Sequence, residues 1–272
     1  HSHKNGFTDN TKTFDGGQQT FPKLLKRAGY QTAIVGKWHL TSEPTGFDYW
    51  NILIGQGDYY NPHFIDNGEK KQIEGYATNI TTDLAIDWLD QKRDKDKPFC
   101  LLLHHKAPHR TWMPDTCDLE LYKDVVFPIP ETFYDKYEGR VAASQQEMSI
   151  IKDMDLVYDL KLADKENEIH SNPGLEKAGR AMYNKLNTEQ KAAWDKHYEP
   201  IIKEFKEKKL SGKALAEWKY QQYMHDYIRV IHSVDRNVGR VLDYLEKNNM
   251  LDNTIIVYTS DQGFYMGEHG WF

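Results

Sequence analysis

Gly29-Tyr30-Gln31-Thr32-Ala33-Ile34-Val35-Gly36-Lys37-Trp38-His39-Leu40 is the stretch that decides the fold. Thr32 to Val35 is a short β-branched and apolar run that reads as a buried strand ending at Gly36. Just upstream, Phe21, Leu24 and Leu25 recur at helical spacing within Thr20–Ala28, and Gly29 supplies the stop. The same alternation returns further along. A helix is expected from about Ala77 to Lys92, with Ile80, Leu84, Ile86, Trp88 and Leu89 as its apolar side. After Pro98 comes Phe99–His104, nearly all apolar, as a central parallel strand should be. Tyr220, Tyr223, Tyr227, Ile231, Val234, Val238, Val241 and Leu245 then mark a long helix with one face for the sheet, closed by Asn248-Asn249. Thr254 to Thr259 reads as a further strand. Strands alternating with helices predict an α/β fold with parallel strands. Residues 131–216 are Lys/Glu-rich and read as a helical insertion broken at Ser171-Asn172-Pro173-Gly174.

Composition narrows the function classes. The chain has 272 residues, 39% hydrophobic and 28% charged, which suits one large domain or two small ones. Its longest apolar run is the five residues Phe99 to Leu103, far short of the ~20 that span a bilayer. The net charge of -6 lacks the basic footprint of a nucleic-acid binder. An anionic ligand would therefore need a local cluster of cations. The two cysteines, Cys100 and Cys117, form no CxxC pattern, and both a disulfide and two separate thiols fit.

The polar residues are not scattered. Each expected strand is followed at once by a cluster: Lys37-Trp38-His39, then His105-Lys106-Ala107-Pro108-His109, then Ser260-Asp261-Gln262-Gly263. Ligands of open α/β sheets bind beyond the carboxyl ends of the strands. Lys37 and His39, two apart, share a face if the chain stays extended, and form a cationic pair suited to a tetrahedral oxyanion. His109 lies furthest past its strand and is the site candidate of the second cluster, with some of its neighbours structural. Asp261 and Gln262 offer adjacent hard oxygens suited to Ca²⁺ or Mg²⁺, although Ca²⁺ takes 6–8 donors in all. Taken singly, each cluster also fits an ordinary surface loop.

In order and in letter, the clusters resemble the type I sulfatases of the alkaline phosphatase superfamily. Gly29 to Leu40 is similar to a family signature. Pro98-Phe99 with Lys106-Ala107-Pro108-His109 resembles a second block. Asp252 to Val257, leading into Ser260-Asp261-Gln262-Gly263 and Gly267-Glu268-His269-Gly270, resembles the metal-binding block. Ser2 to Gly6 is similar to the segment that follows the nucleophile motif. The resemblance implies an alkaline-phosphatase-like catalytic domain over 1–272, incomplete, with a mixed, largely parallel sheet flanked by helices, and hydrolysis of a sulfate ester. It implies that Lys37 contacts sulfate and nucleophile, that His39 orients the nucleophile, and that His109 binds sulfate and protonates the leaving alcohol. Asp261 and Gln262 would ligate Ca²⁺ or Mg²⁺.

The departures are as informative. The family's Cys/Ser-x-Pro-Ser/Thr-x-Arg motif, whose first residue becomes formylglycine, is not found in these 272 residues, nor is the Asp-Asp metal pair. The chain thus reads as a partial catalytic domain, and the expectation is no turnover from residues 1–272 alone. Asp261-Gln262-Gly263-Phe264 and Tyr59-Tyr60-Asn61-Pro62 most resemble sulfatases of sulfated amino sugars, such as N-acetylglucosamine-6-sulfatases of glycosaminoglycan breakdown. His63 is the candidate for the sugar pocket, while Trp112 serves that pocket or packing. The implied partner is a sulfated carbohydrate, with no nucleic acid or membrane, and the implied location is periplasmic or secreted. Two alternatives remain open: a phosphodiesterase-like metal hydrolase of the same superfamily, and a non-catalytic sulfated-glycan-binding homologue.

Overall fold

The computed structural model describes residues 2–272, which divide into two compact units. The first comprises residues up to Pro108 together with Ser233–Thr254, and the second His109–His232 together with Ile255–Phe272. No helix among the described residues is long and apolar enough to cross a membrane.

The first unit opens with a short helix α1 (Ser2–Asn5) and then α2 (Phe21–Arg27). Thr20 is extended at the N-cap, Pro22 sits in the first turn where its missing N–H is no loss, and Gly29 takes a positive φ of 93° just beyond the end. The chain then enters β1 (Gln31–Lys37), buried from Thr32 to Gly36. β1 pairs in parallel with β2 (Tyr49–Leu53) and with β5 (Phe99–His104). β3 (His63–Asp66) and β4 (Glu69–Gln72) complete the order β4-β3-β2-β1-β5 as an antiparallel hairpin. Its turn is Asn67-Gly68, both at positive φ (45° and 97°), the pair that a two-residue hairpin turn requires. The sheet is thus mixed and flanked by helices, as expected.

Over the sheet lies α3 (Ala77–Asp87), running on into a π-helical turn Trp88–Lys92. Ala33, Val35 and Tyr49 pack with Ala85, Trp88 and Leu89 in one buried cluster, joined by the half-buried Phe99, Leu101, Leu103 and Tyr244. A second cluster joins Leu53, Phe64 and Ile80. Burial of each such side chain stabilises the fold by about 1.5–3 kcal/mol.

Two expectations are corrected here. Phe99–His104 is an edge strand, not a central one: β5 pairs with β1 alone among the described residues, so its apolar side chains are only half-buried. Thr254–Thr259 forms no strand. Ile255, Val257 and Tyr258 are 92%, 78% and 76% exposed, because their extended backbone meets no partner strand among the described residues.

The second unit contains the short α4 (Val141–Ser144), then α5 (Pro173–Asn184) and α6 (Thr188–Lys208). The break at Ser171-Asn172-Pro173-Gly174 is the start of α5, where the Asn172 side chain accepts from the N–H groups of Gly174 and Leu175. Asn187 and Gln190 form a reciprocal capping box for α6. Helices therefore fill the later half of 131–216, while most of 131–172 is irregular. The long helix α7 (Gly212–Lys247) contributes residues to both units. Its later part has the predicted sheet contact, through Tyr244. Tyr220 and Tyr223 instead pack on Phe133 and Trp112 at 5.4 and 4.7 Å between ring centres.

Candidate active site

Because β1 and β5 are parallel and in register at Gly36 and His104, the segments that follow them leave from the same edge of the sheet. That edge carries Lys37 and His39 after β1, and His105 and Lys106 after β5. The close approach depends on Gly36. Its φ is 107°, and a Cβ there would lie 2.0 Å from the His104 carbonyl oxygen. The register also places His63 at this edge: Lys37 pairs with Leu53, Leu53 with Phe64, and His63 is the next residue outward. Two strand spacings, roughly 10 Å, separate the backbones of Lys37 and His63. His63 is exposed, as a ligand-facing residue must be, whereas Tyr59, Tyr60 and Asn61 before it are buried in packing against Tyr76 and Gly75.

The electrostatics of this edge are cationic. His39, at a φ of +46°, has its pKa lowered, first by burial and then by the charges of Lys37 and Lys106. Lys106 is 8% exposed; its ammonium donates to the Gln56 carbonyl at 3.2 Å and lies 4.9 Å from the centre of the Tyr59 ring. Burial, then Lys37, pulls its pKa down to about 8, partly offset by Asp58. Lys37, His39 and Lys106 therefore share one field, and Lys106 is a candidate that sequence reasoning passed over in favour of His109. Its signal was available, since a lysine directly after an apolar strand lacks solvent for its charge. His104 is structural, its Nδ1–H donating to the Lys37 carbonyl at 3.1 Å. His105 is half-buried, but both of its ring nitrogens are shut off from solvent without a hydrogen-bond partner among the described residues, and burial, then His104, lowers its pKa to about 4.

His109 begins the second unit. Its Nδ1 lies 2.6 Å from the Arg110 carbonyl oxygen, which can only accept, so Nδ1 carries the proton. Trp112 is packing: fully buried, it meets Tyr223, Phe264 and Phe272. Asp261 and Gln262 lie on an exposed turn, where the Gln262 N–H donates to the Ser260 hydroxyl oxygen at 3.4 Å. They do not follow a paired strand as expected. Their donors, a carboxylate and an amide oxygen, fit a hard divalent cation in type, but two ligands are only part of its shell. His269 is held by the Asp135 carboxylate at 2.7 Å.

One further group, Asp115, Cys117 and Asp118, brings its potential ligand atoms within 4.8 Å of one another. It mixes hard oxygens with a soft sulfur and includes neither Asp261 nor Gln262. Cys100 and Cys117 form no disulfide among the described residues. A cleft of about 800 Å³ in the second unit is lined by Tyr183, Trp194 and Lys206 and contains none of the candidate residues. Its Lys165 and Lys206 are already compensated by Asp195, Glu199, Asp164, Glu166 and Glu168.

A mixed α/β sheet whose parallel strands end in a Lys-His-Lys edge is the frame of a sulfatase, and residues 1–271 match the sulfatase family model; the chain belongs to the sulfatase family. Members of this family generally use a divalent metal. Among its relatives is an N-acetylglucosamine-6-O-sulfatase of Bacteroides thetaiotaomicron, 53% identical over 275 residues, covering 100% of this chain and 49% of the relative. An N-acetylglucosamine-6-sulfatase of Bos taurus is 24% identical over 269 residues, covering 92% of this chain and 36% of the relative. A solved structure, described as a complex with its substrate D-glucosamine-2-N,6-O-disulfate, superposes with a TM-score of 0.93 at 52% identity. It covers 100% of this chain and 55% of that one. The chain thus spans about half the length of the curated relatives it matches.

Proposed function

We propose that the protein to which these residues belong is a sulfuric ester hydrolase that removes the 6-O-sulfate of a glucosamine unit. The observation that carries this is 53% identity over the whole chain to an N-acetylglucosamine-6-O-sulfatase, with the Lys37, His39 and Lys106 cations gathered at one sheet edge.

In this reading Lys37 and Lys106 bind the sulfate oxygens and offset the charge that grows on them as the ester bond breaks. His39, whose pKa is lowered by burial and then by its ammonium neighbours, accepts a proton at the sulfur side. His109, as the imidazolium, gives its Nε2 proton to the leaving alcohol while Nδ1–H stays on the Arg110 carbonyl, and His63 contacts the sugar. Asp261 and Gln262 give two oxygen ligands to Ca²⁺ or Mg²⁺, and such an ion supplies Lewis-acid polarisation of a bound oxyanion. No residue of 1–272 is assigned as the nucleophile. Residues 131–216 are an insertion within one catalytic domain, and the protein acts outside the cytoplasm, as sulfatases generally do.

The test is hydrolysis by the full-length protein of glucosamine 6-O-sulfate, glucosamine N-sulfate and an aryl phosphate, with released anion read by ion chromatography. Sulfate from the 6-O-ester is the expected product. Preference for the phosphate ester would transfer the site to phosphoryl chemistry, and tight binding without hydrolysis of any ester would leave a glycan-binding protein.

A further inference from the structure

The irregular stretch before α5 is organised around one buried carboxylate. Asp155 accepts from the N–H groups of Val157 and Tyr158 and so closes a turn. That turn presents Asp159, whose side chain is 0% exposed. Asp159 takes a two-pronged bond from Arg110, Nε to Oδ1 and Nη2 to Oδ2, both at 2.6 Å. Its Oδ2 also accepts the Asp155 N–H at 2.8 Å. The guanidinium lies against the rings of Phe272 and Tyr158, 4.9 and 5.4 Å from their centres. A fork-to-fork pair of this kind fixes direction as well as distance, and no single-point cation reproduces it. Held at its side chain, Arg110 has little freedom at its backbone, and its carbonyl oxygen is the acceptor for His109 Nδ1.

We propose that Asp159 and Arg110 are positioning residues for His109. The carboxylate holds the guanidinium, which sets the Arg110 carbonyl. That carbonyl holds the proton on Nδ1, which makes Nε2 the ring nitrogen that gains and loses the second proton. This deepens the proposed sulfatase reading and rests on it for the role of His109. As the acid, His109 is the imidazolium: its Nε2–H passes to the leaving alkoxide while Nδ1–H stays on the Arg110 carbonyl, so the ring ends as the Nδ1–H tautomer. A second residue that fixes this tautomer is the usual device. It also gives the irregular part of 131–172 a purpose beyond packing. A merely structural ion pair would stabilise the fold without governing which nitrogen of His109 carries the proton.

The experiment compares full-length wild type with Arg110→Lys and Asp159→Asn, using protein labelled with ¹⁵N at histidine and His109→Gln to assign the signal. Wild type is expected to show His109 protonated at Nδ1, with both variants shifting population to the Nε2–H form. Turnover of glucosamine 6-O-sulfate should fall about tenfold to a hundredfold in kcat, with KM nearly unchanged. Should Asp159→Asn fail to fold, Arg110→Lys decides, because it keeps a cation against the carboxylate and loses only the fork. A wild-type spectrum with the proton on Nε2, or an unchanged tautomer in folded Arg110→Lys, overturns the proposal. Absence of wild-type turnover would sink the sulfatase reading instead, and the tautomer alone then decides the positioning claim.

Discussion

His105 shows how one side chain sets a pH limit. Its ordinary pKa of 6.5 drops to about 4 in the folded chain, first through burial and then through His104. The unfolded chain therefore binds a proton that the folded chain refuses. The stability this neutral imidazole leaves intact above pH 6.5 is lost as pH falls toward 4, by about 3 kcal/mol in all. Urea midpoints taken at pH 7 and pH 5 should fall with acidity in wild type and much less in His105→Leu; equal slopes would show that other groups carry the effect. His39 predicts a linkage of opposite sign. Lys37 and Lys106 lower its pKa, and a bound sulfate would cancel their field and raise it, so binding takes up a proton. Sulfate affinity measured by calorimetry should therefore rise as pH falls through the histidine range, and a flat profile would remove His39 from the anion site.

At the scale of elements, Gly36 joins β1 to β5. An added Cβ would meet both the His104 backbone and Thr81 Cγ2, the latter at 2.8 Å, from a φ that L side chains rarely adopt. Gly36→Ala is expected to cost about 3 kcal/mol or more through strain and overpacking. A loss below about 1 kcal/mol on denaturant unfolding would mean that the two strands can separate there. The segment after α7 behaves in the opposite way. Val257 is 78% exposed, so Val257→Lys should leave stability within about 0.5 kcal/mol while reducing self-association. Strand formation there was legible as a preference, since Thr-Ile-Ile-Val-Tyr-Thr is β-branched, but preference forms no ladder without a partner. Conversely the Asn67-Gly68 turn signal stood in the sequence between short runs that were too polar to read as strands. β4 is exposed throughout, which is why periodicity did not reveal it.

For the molecule as a whole, the second unit is held by a buried charge network. Lys161 and Asp226, 5% and 4% exposed at their side chains, pair at 2.9 Å, and Tyr198 and Arg229 also donate to Asp226. Asp226→Asn strands an ammonium away from water, and a loss of about 3–5 kcal/mol is expected from denaturant unfolding. Asp226→Asn unfolding at the wild-type midpoint would show the network to be dispensable. Metal dependence belongs to this scale too, because Asp261 and Gln262, in their proposed role, would supply only part of a shell. Chelation of the full-length protein should abolish turnover and added Ca²⁺ or Mg²⁺ restore it, whereas activity that survives chelation would end the metal assignment.

The sequence by itself determined the sheet's parallel core, the long helix and the residues at its polar edge. Each of these rests on local chemistry: β-branched runs, a 3.6-residue apolar period, and a family signature around Lys37 and His39. Only the tertiary structure decided that β5 is an edge, that 254–259 has no ladder, that Lys106 joins the cations, that Trp112 packs and that Arg110 is gripped by Asp159. These depend on which segments meet. The pairing of Arg110 with Asp159 spans 49 residues, and burial, partner strands and field strength arise only when distant chain segments exclude water from one another.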